Sequence, residues 1–371
     1  MEENNSQLIN QKEINCTQCG SKLVFAPGVD SLKCTNCGHV NEIKVDQQKR
    51  YDALREIDYF RFINETSTVF YQQEEVTALK CQTCGAETSV DANTISTECA
   101  FCGAPLVKDQ QQITKLIAPA AILPFKIDQK QCGVSFQNWM KKLWFLPNKA
   151  KIYCRPEKFQ GIYTPYWTYD ANTRTSYSGQ RGDAYYRTET YTDSSGKSQT
   201  RQVREINWTN VSGTVFDDFD DVLILASKNL PEKITKRLKS WNLNDLQPYD
   251  KRYMSGFKAE SYSIDVKIGY EEAKKIMDEY IYAHIRRDIG GDEQRVFSKN
   301  TTYNNVKFKH ILLPLWLSTY RYNNKIYRLV VNGQTGEVRG ERPYSALKII
   351  LFVLLIIAII AAIVYLTGGA N

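Results

Sequence analysis

The chain has 371 residues, of which 42% are hydrophobic and 24% charged. That is enough apolar material for one large core or two modest ones, and it excludes a wholly disordered chain, a collagen and a polytopic membrane protein. The net charge of +7 is unevenly spread: residues 1–110 carry a formal −6, residues 111–345 a formal +12, and the last 26 residues only Lys348.

Residues 1–15 are polar and contain no apolar core for a signal peptide, so synthesis in the cytosol is expected. Eight of the ten cysteines then form four Cys-x-x-Cys pairs. Cys16/Cys19 and Cys34/Cys37 are separated by 14 residues, as are Cys81/Cys84 and Cys99/Cys102, so the second set repeats the first 65 positions later. Every pair is followed at once by glycine: Gly20, Gly38, Gly85 and Gly103. Two thiolates two residues apart bind one ion only if the backbone turns tightly around it. The position after such a turn favours φ > 0, where glycine costs least.

Two such knuckles supply four soft ligands in tetrahedral array, which suits Zn²⁺ in a closed, structural site. A rubredoxin-type iron site uses the same ligands. Disulfides are not expected in a reducing cytosol, and a thioredoxin-like pair would need a βαβ context. This reading places zinc ribbon 1 at 13–44, zinc ribbon 2 at 79–108, and two structural zinc ions on Cys16, Cys19, Cys34, Cys37, Cys81, Cys84, Cys99 and Cys102. His39 follows a filled ligand set, and Cys132 and Cys154 read as small core residues. Residues 45–78 read as a polar spacer with a short helix around Leu54, Ile57 and Phe60.

From residue 111 the texture becomes basic and aromatic-rich, and a mixed α+β domain is expected over 111–345. Apolar spacing predicts amphipathic helices at 130–145 and 270–287, and a short basic helix over 229–241. Strand-like runs cover 161–169, 221–225, 307–322 and 326–331, with a mobile hairpin tip expected at 191–200. Each long helix follows an Ile-Asp pair (Ile127-Asp128, Ile264-Asp265) and precedes a Pro-x-Trp strand (Pro165-Tyr166-Trp167, Pro314-Leu315-Trp316). This points to an internal duplication, with repeats at 111–210 and 250–345.

Several motifs mislead. Gly196-Lys197-Ser198 lacks the earlier glycine of a P-loop, because position 191 is tyrosine. Gly290-Gly291-Asp292-Glu293 reads as a turn after the second helix. The acidic run 217–221 could bind a hard cation but reads better as a loop entering a buried strand, and His284 and His310 read as structural. No Ser-His-Asp order, paired-carboxylate cleft or nucleotide fingerprint stands out, so no enzyme is expected.

Residues 349–366 form an uninterrupted apolar stretch of 18 residues, long enough to predict a transmembrane helix at 347–367. Arg339, Arg342 and Lys348 precede it, and only residues 368–371 follow. The positive-inside rule then predicts a single-pass, tail-anchored protein of the cytoplasmic membrane whose N-terminal domains face the cytoplasm.

With these motifs in view, the chain resembles a group of bacterial membrane proteins with transcription factor IIB-type zinc ribbons. The likeness runs through the ribbons, 161–170, 288–296, 309–317 and 331–345. Such proteins are often labelled as related to primosomal protein N′, a superfamily II helicase. The resemblance implies zinc binding by the eight cysteines, whereas helicase chemistry would need the Walker A motif that is incomplete here. Residues 331–338 also look like the hairpin of PepSY-type α+β domains.

Three functions compete: a non-catalytic adaptor whose ribbons bind a protein, a membrane-associated nucleic-acid binder, and an enzyme. Loading each four-cysteine set with Zn²⁺ adds −2, so residues 1–110 would reach about −10 and repel a phosphate backbone. The protein-binding adaptor is therefore the expectation and nucleic-acid binding the alternative. The +12 domain is expected to lean on anionic lipid of the inner leaflet, with the ribbons projecting away.

Overall fold

The computed structural model describes residues 15–29, 31–44, 48, 55–64, 73–89, 96–107, 111–153, 159–235, 237, 238, 240–323 and 325–368. The chain opens with β1 (Leu23–Ala26), β2 (Ser31–Cys34) and β3 (Val40–Glu42), an antiparallel sheet in that order. Next come β4 (Ile57–Asp58), α1 (Tyr59–Asn64), β5 (Gln73–Lys80), β6 (Glu87–Ser89), β7 (Ser96–Glu98), β8 (Pro105–Val107) and β9 (Gln111–Ile117). The larger body then comprises β10 (Ala121–Ile122), α2 (Gln129–Lys141), α3 (Asn148–Tyr153), β11 (Gln160–Thr192) and β12 (Ser198–Leu225). It continues with the single turn α4 (Glu232–Thr235), β13 (Gln247–Pro248), β14 (Lys258–Glu260), α5 (Val266–Ile289), β15 (Glu293–Tyr322), β16 (Lys325–Asn332) and β17 (Val338–Gly340). The last element is α6 (Ala346–Gly368).

Long strands set the architecture. β12, β11 and β15 pair antiparallel over most of their length, with bulges between Tyr169 and Ala171 and between Ser178 and Gly179. Period-two alternation explains the length. Ala171, Thr173, Thr175 and Tyr177 are buried, while Asn172, Arg174 and Ser176 between them are exposed. The buried face lies under α5, whose Met277, Ile281, Ile285 and Ile289 recur every fourth residue. Gly269 permits that approach: a Cβ there would stand 2.5 Å from the Tyr169 hydroxyl and 3.0 Å from the Trp167 ring. Each fully buried isoleucine contributes about 1.5–3 kcal/mol.

Past Glu293 the partner strand ends, and β11 and β12 continue alone as a two-stranded arm to Thr192 and Ser198. The Asp193 carboxylate closes the tip, accepting from the N–H groups of Ser195 (2.9 Å) and Lys197 (3.0 Å).

Reciprocal contacts link the segment of α2 and β11 to the segment of α5 and β15. β10 runs parallel to β15, and β14 runs parallel to β11. Asp128 caps α2 and Asp265 caps α5, each accepting from a backbone N–H in the first turn. The N–H groups of Lys126 and Ile127 donate to Gly333 O, and those of Ser263 and Ile264 donate to Ala226 O. Gly333 and Ala226 in turn donate to Pro314 O and Pro165 O.

The result is a mixed α+β chain with cysteine clusters at the N-terminus and one apolar helix at the C-terminus. The strands are far longer than hydrophobicity alone predicts, because Ser, Thr and Tyr carry the ladder where apolar residues run out. The basic helix expected over 229–241 shortens to one turn, with Leu238 buried beyond it. Residues 217–221 do not form a loop; they lie within β12, and Asp221 takes φ +52 beside the bulge. Ile57 pairs with Phe308, so part of the expected spacer is fixed to the body, and Leu54 lies outside the described residues. Cys132 is a fully buried core residue, and Cys154 lies outside the described residues.

Candidate metal centres

All four knuckles share one hydrogen-bond pattern. The N–H groups of Cys16, Cys34, Cys81 and Cys99 donate to Ser21, His39, Ala86 and Ala104 O at 2.7–2.8 Å. The four following glycines donate back to those same cysteines' carbonyls at 2.7–3.1 Å. Gly20, Gly38, Gly85 and Gly103 all take φ between +72 and +78. This is the left-handed conformation the spacing demands.

Cys16, Cys19, Cys34 and Cys37 bring their sulfurs within 4.8 Å of one another, and Cys81, Cys84, Cys99 and Cys102 do the same. The contacts Cys16–Cys37 and Cys19–Cys34 measure 3.5 Å, Cys81–Cys102 3.5 Å and Cys84–Cys99 3.6 Å. A tetrahedron with metal–sulfur distances of about 2.3 Å has edges of about 3.8 Å, so both sets are pre-shaped for Zn²⁺. The hydroxyl and N–H of Ser21 lower the Cys19 thiol to about 6. Burial opposes ionisation of Cys81, yet the N–H groups of Cys84 and Thr83 bring it down to about 7. Burial pushes Cys99 up to about 11, so a cation is needed to draw all four protons off the second set.

In each knuckle the first cysteine faces inward. Cys16, Cys34, Cys81 and Cys99 are buried, Cys19 and Cys37 exposed, and Cys84 and Cys102 half-buried. The first set sits on β1, which docks on the body edge-on. Phe25 N–H donates to Ser255 O at 3.0 Å, the Ser255 hydroxyl donates to Leu23 O at 2.6 Å, and Gly28 N–H donates to Phe125 O at 3.1 Å. Phe25 packs its ring edge-on against Tyr253 and Phe257. Gly256, at φ +89, makes room for Val24, since a Cβ there would be 2.3 Å from Val24 Cγ1.

In the second set Cys81 and Cys84 lie between strands of the main sheet, and Cys99 and Cys102 between β7 and β8, which form a two-stranded sheet of their own. β5 and β6 belong to the main sheet, β6 pairing with β14 through Thr88 and Glu260. Leu79, Cys81, Cys99, Phe101 and Leu106 share a core with Ile162, Leu315, Leu317 and Val330.

A third cluster escaped sequence reasoning. Glu56, Asp170, Asp220 and Asp221 place carboxylate oxygens within 4.8 Å of one another. The Lys309 ammonium already serves as their cation, 3.0 Å from both Glu56 and Asp221 and 6% exposed. Burial and the Glu56 carboxylate push Asp170 up to about 7. The signal was available: Lys309 is a charge inside a run of buried apolar residues, which requires a partner. His284 Nδ1 meets Asp217 Oδ1 at 2.7 Å, and His310 Nδ1 lies 2.9 Å from Ile117 O.

Among known proteins, the chain is similar to YdjG, an uncharacterized protein of Bacillus subtilis (strain 168). The two are 26% identical over 343 residues, covering 90% of this chain and 91% of that one. No family model matches the chain, so the helicase-related label has no support from one. No solved structure matches it.

Proposed function

We propose that the protein is a non-catalytic adaptor of the cytoplasmic membrane, anchored by its C-terminal helix. Two structural zinc ions brace the α+β body, and ribbon 1 offers a docking surface to a protein partner. One observation carries the reading: each cysteine set is closed. Four thiolates saturate a tetrahedral ion, the inner cysteines belong to packed cores, and no position faces a substrate. Ala346–Leu366 is long and apolar enough to cross a membrane, and none of its apolar window is buried, as befits a span. Arg339, Arg342 and Lys348 before it favour a cytoplasmic body.

Ribbon 1 has an exposed apolar surface at two places: Val40, three residues after Cys37, is 51% exposed, and Val29, in the turn between β1 and β2, is 65% exposed. Nucleic acid fits less well, because the arginines of the arm are already paired. Arg187 bonds Glu205 at 3.1 Å, Arg201 bonds Glu189 at 2.8 Å and Arg204 bonds Glu293 at 2.7 Å. The reciprocal contacts of the two halves also lead us to infer that the body is one strand–helix–strand unit used twice. Its matching points are Ile127 with Ile264, Pro165 with Pro314 and Ala226 with Gly333.

The test uses full-length protein in its own membranes. Elemental analysis should find two zinc ions per chain. A photo-crosslinker at Val29 or Val40 should trap one discrete protein, and the same probe at Phe216 should not. Iron in place of zinc, or identical crosslinks from all three positions, would refute the reading.

A further inference from the structure

Between α2 and α3 the chain reads Lys141-Lys142-Leu143-Trp144-Phe145-Leu146-Pro147-Asn148-Lys149, with three lysines and no acid. This segment is fastened to the start of α6. Ser345 N–H donates to Phe145 O at 2.8 Å. The Lys348 ammonium donates to Leu146 O at 2.8 Å and to Asn148 Oδ1 at 2.9 Å. The Phe145 ring meets Phe352 edge-on at 5.4 Å. Leu143 and Leu146 anchor the segment from within, packing with Ala150, Trp139, Met140 and Tyr322. Trp144 is left 76% exposed, with Lys141, Lys142 and Lys149 exposed around it.

We propose that this segment is a second membrane contact: Trp144 enters the headgroup layer, and the three lysines bind anionic lipid. The inference rests on α6 being a span. Phe352 lies six residues beyond Ala346, about 9 Å along the helix axis at 1.5 Å per residue. The helical segment Ala346–Leu366 is 21 residues long and matches a hydrocarbon core of about 30 Å, so Ala346 stands near its boundary. A ring touching Phe352 is therefore at acyl depth, and the loop bearing it cannot clear the interface. Tryptophan is enriched at that level, and each lysine near an anionic surface adds about 1 kcal/mol of attraction. The apolar face that water would have to wet is continuous with α6, whose side chains are exposed all round. A bilayer covers both at once. Two attachment points fix the body's tilt against the membrane, which one flexible joint would leave free.

The experiment reconstitutes the full-length protein into phosphatidylcholine vesicles with or without phosphatidylglycerol. The lipids carry bromine high on the acyl chain to quench nearby indoles. Alkaline carbonate extraction is run first on the wild type and on Trp144→Phe. Retention of both upholds the span. Release of both overturns the span and this inference together. With the span upheld, the wild type should show a quenched fraction of emission that Trp144→Phe lacks. Equal quenching in the two would overturn the second contact alone. Phosphatidylglycerol should deepen quenching in the wild type but not in Lys141→Glu/Lys142→Glu/Lys149→Glu. A triple variant with unchanged lipid dependence would overturn the role of the lysines.

Discussion

Trp316 donates its indole N–H to the carbonyl of Ile127 at 3.1 Å, immediately before the cap of α2. Trp167 makes the matching bond to Ile264 O at 2.8 Å, before the cap of α5. Trp316 of β15 thus fastens the start of α2, and Trp167 of β11 the start of α5, so each helix is held by the strand that follows the other helix. Trp316→Phe and Trp167→Phe should each leave a carbonyl unpaired and cost about 1–3 kcal/mol. Denaturant unfolding of the detergent-solubilised protein measures this, and zinc content should not change.

Loss of a metal ligand should have unequal effects in the two ribbons. Cys34→Ser and Cys99→Ser should each reduce bound zinc from two ions to one. Cys99→Ser should lower the melting temperature more, because the ion that Cys99 shares with Cys81 and Cys84 ties β7 and β8 to β5 and β6 of the main sheet, while β1 to β3 form a sheet of their own. Elemental analysis paired with circular dichroism melting separates the outcomes.

Gly256→Ala should undock ribbon 1 without emptying it. The new Cβ meets Val24 at 2.3 Å, and φ +89 is strained for any side chain, so the docked state should lose more than about 1 kcal/mol. Limited proteolysis should cut faster near Gly28, at unchanged zinc content.

Two buried acids should make the protein more stable as pH falls from 8 to 6. Burial and the neighbouring Glu56 raise Asp170 from 3.8 to about 7, and burial raises Glu260 from 4.5 to about 7. A raised folded value favours the protonated native form. Its stabilisation is complete below about 4 and is lost as pH rises through 7. Asp170→Asn and Glu260→Gln should each flatten the slope of melting temperature against pH, with zinc content followed in parallel.

The metal clusters were legible because geometry forces their spelling: four glycines after four cysteine pairs can be read from spacing alone. The Ile-Asp pairs before the two long helices were visible, though not the capping role of Asp128 and Asp265, and so was the apolar stretch at the end. The arm was not, because Thr188, Thr190 and Gln202 satisfy a strand without any hydrophobic signature. The docking of the ribbons was also hidden. It depends on Phe25 meeting Tyr253 and on Ile162 meeting Leu79, pairs distant in sequence that no periodicity connects. The partners of Lys309 were concealed likewise, since Glu56 precedes β4 while Asp170 and Asp221 lie on β11 and β12.

β11 begins beside Phe159, whose ring packs on Phe136 of α2, and runs unbroken to the far turn at Thr192. Its 33 residues trace roughly 100 Å at about 3.3 Å each. One strand thereby runs from beside α2 to the Asp193 turn, and register shifts near Asp170 and Ser178 interrupt its ladder with β15. A load on that turn is carried by the paired backbone of β11 and β12 towards the face that α5 covers.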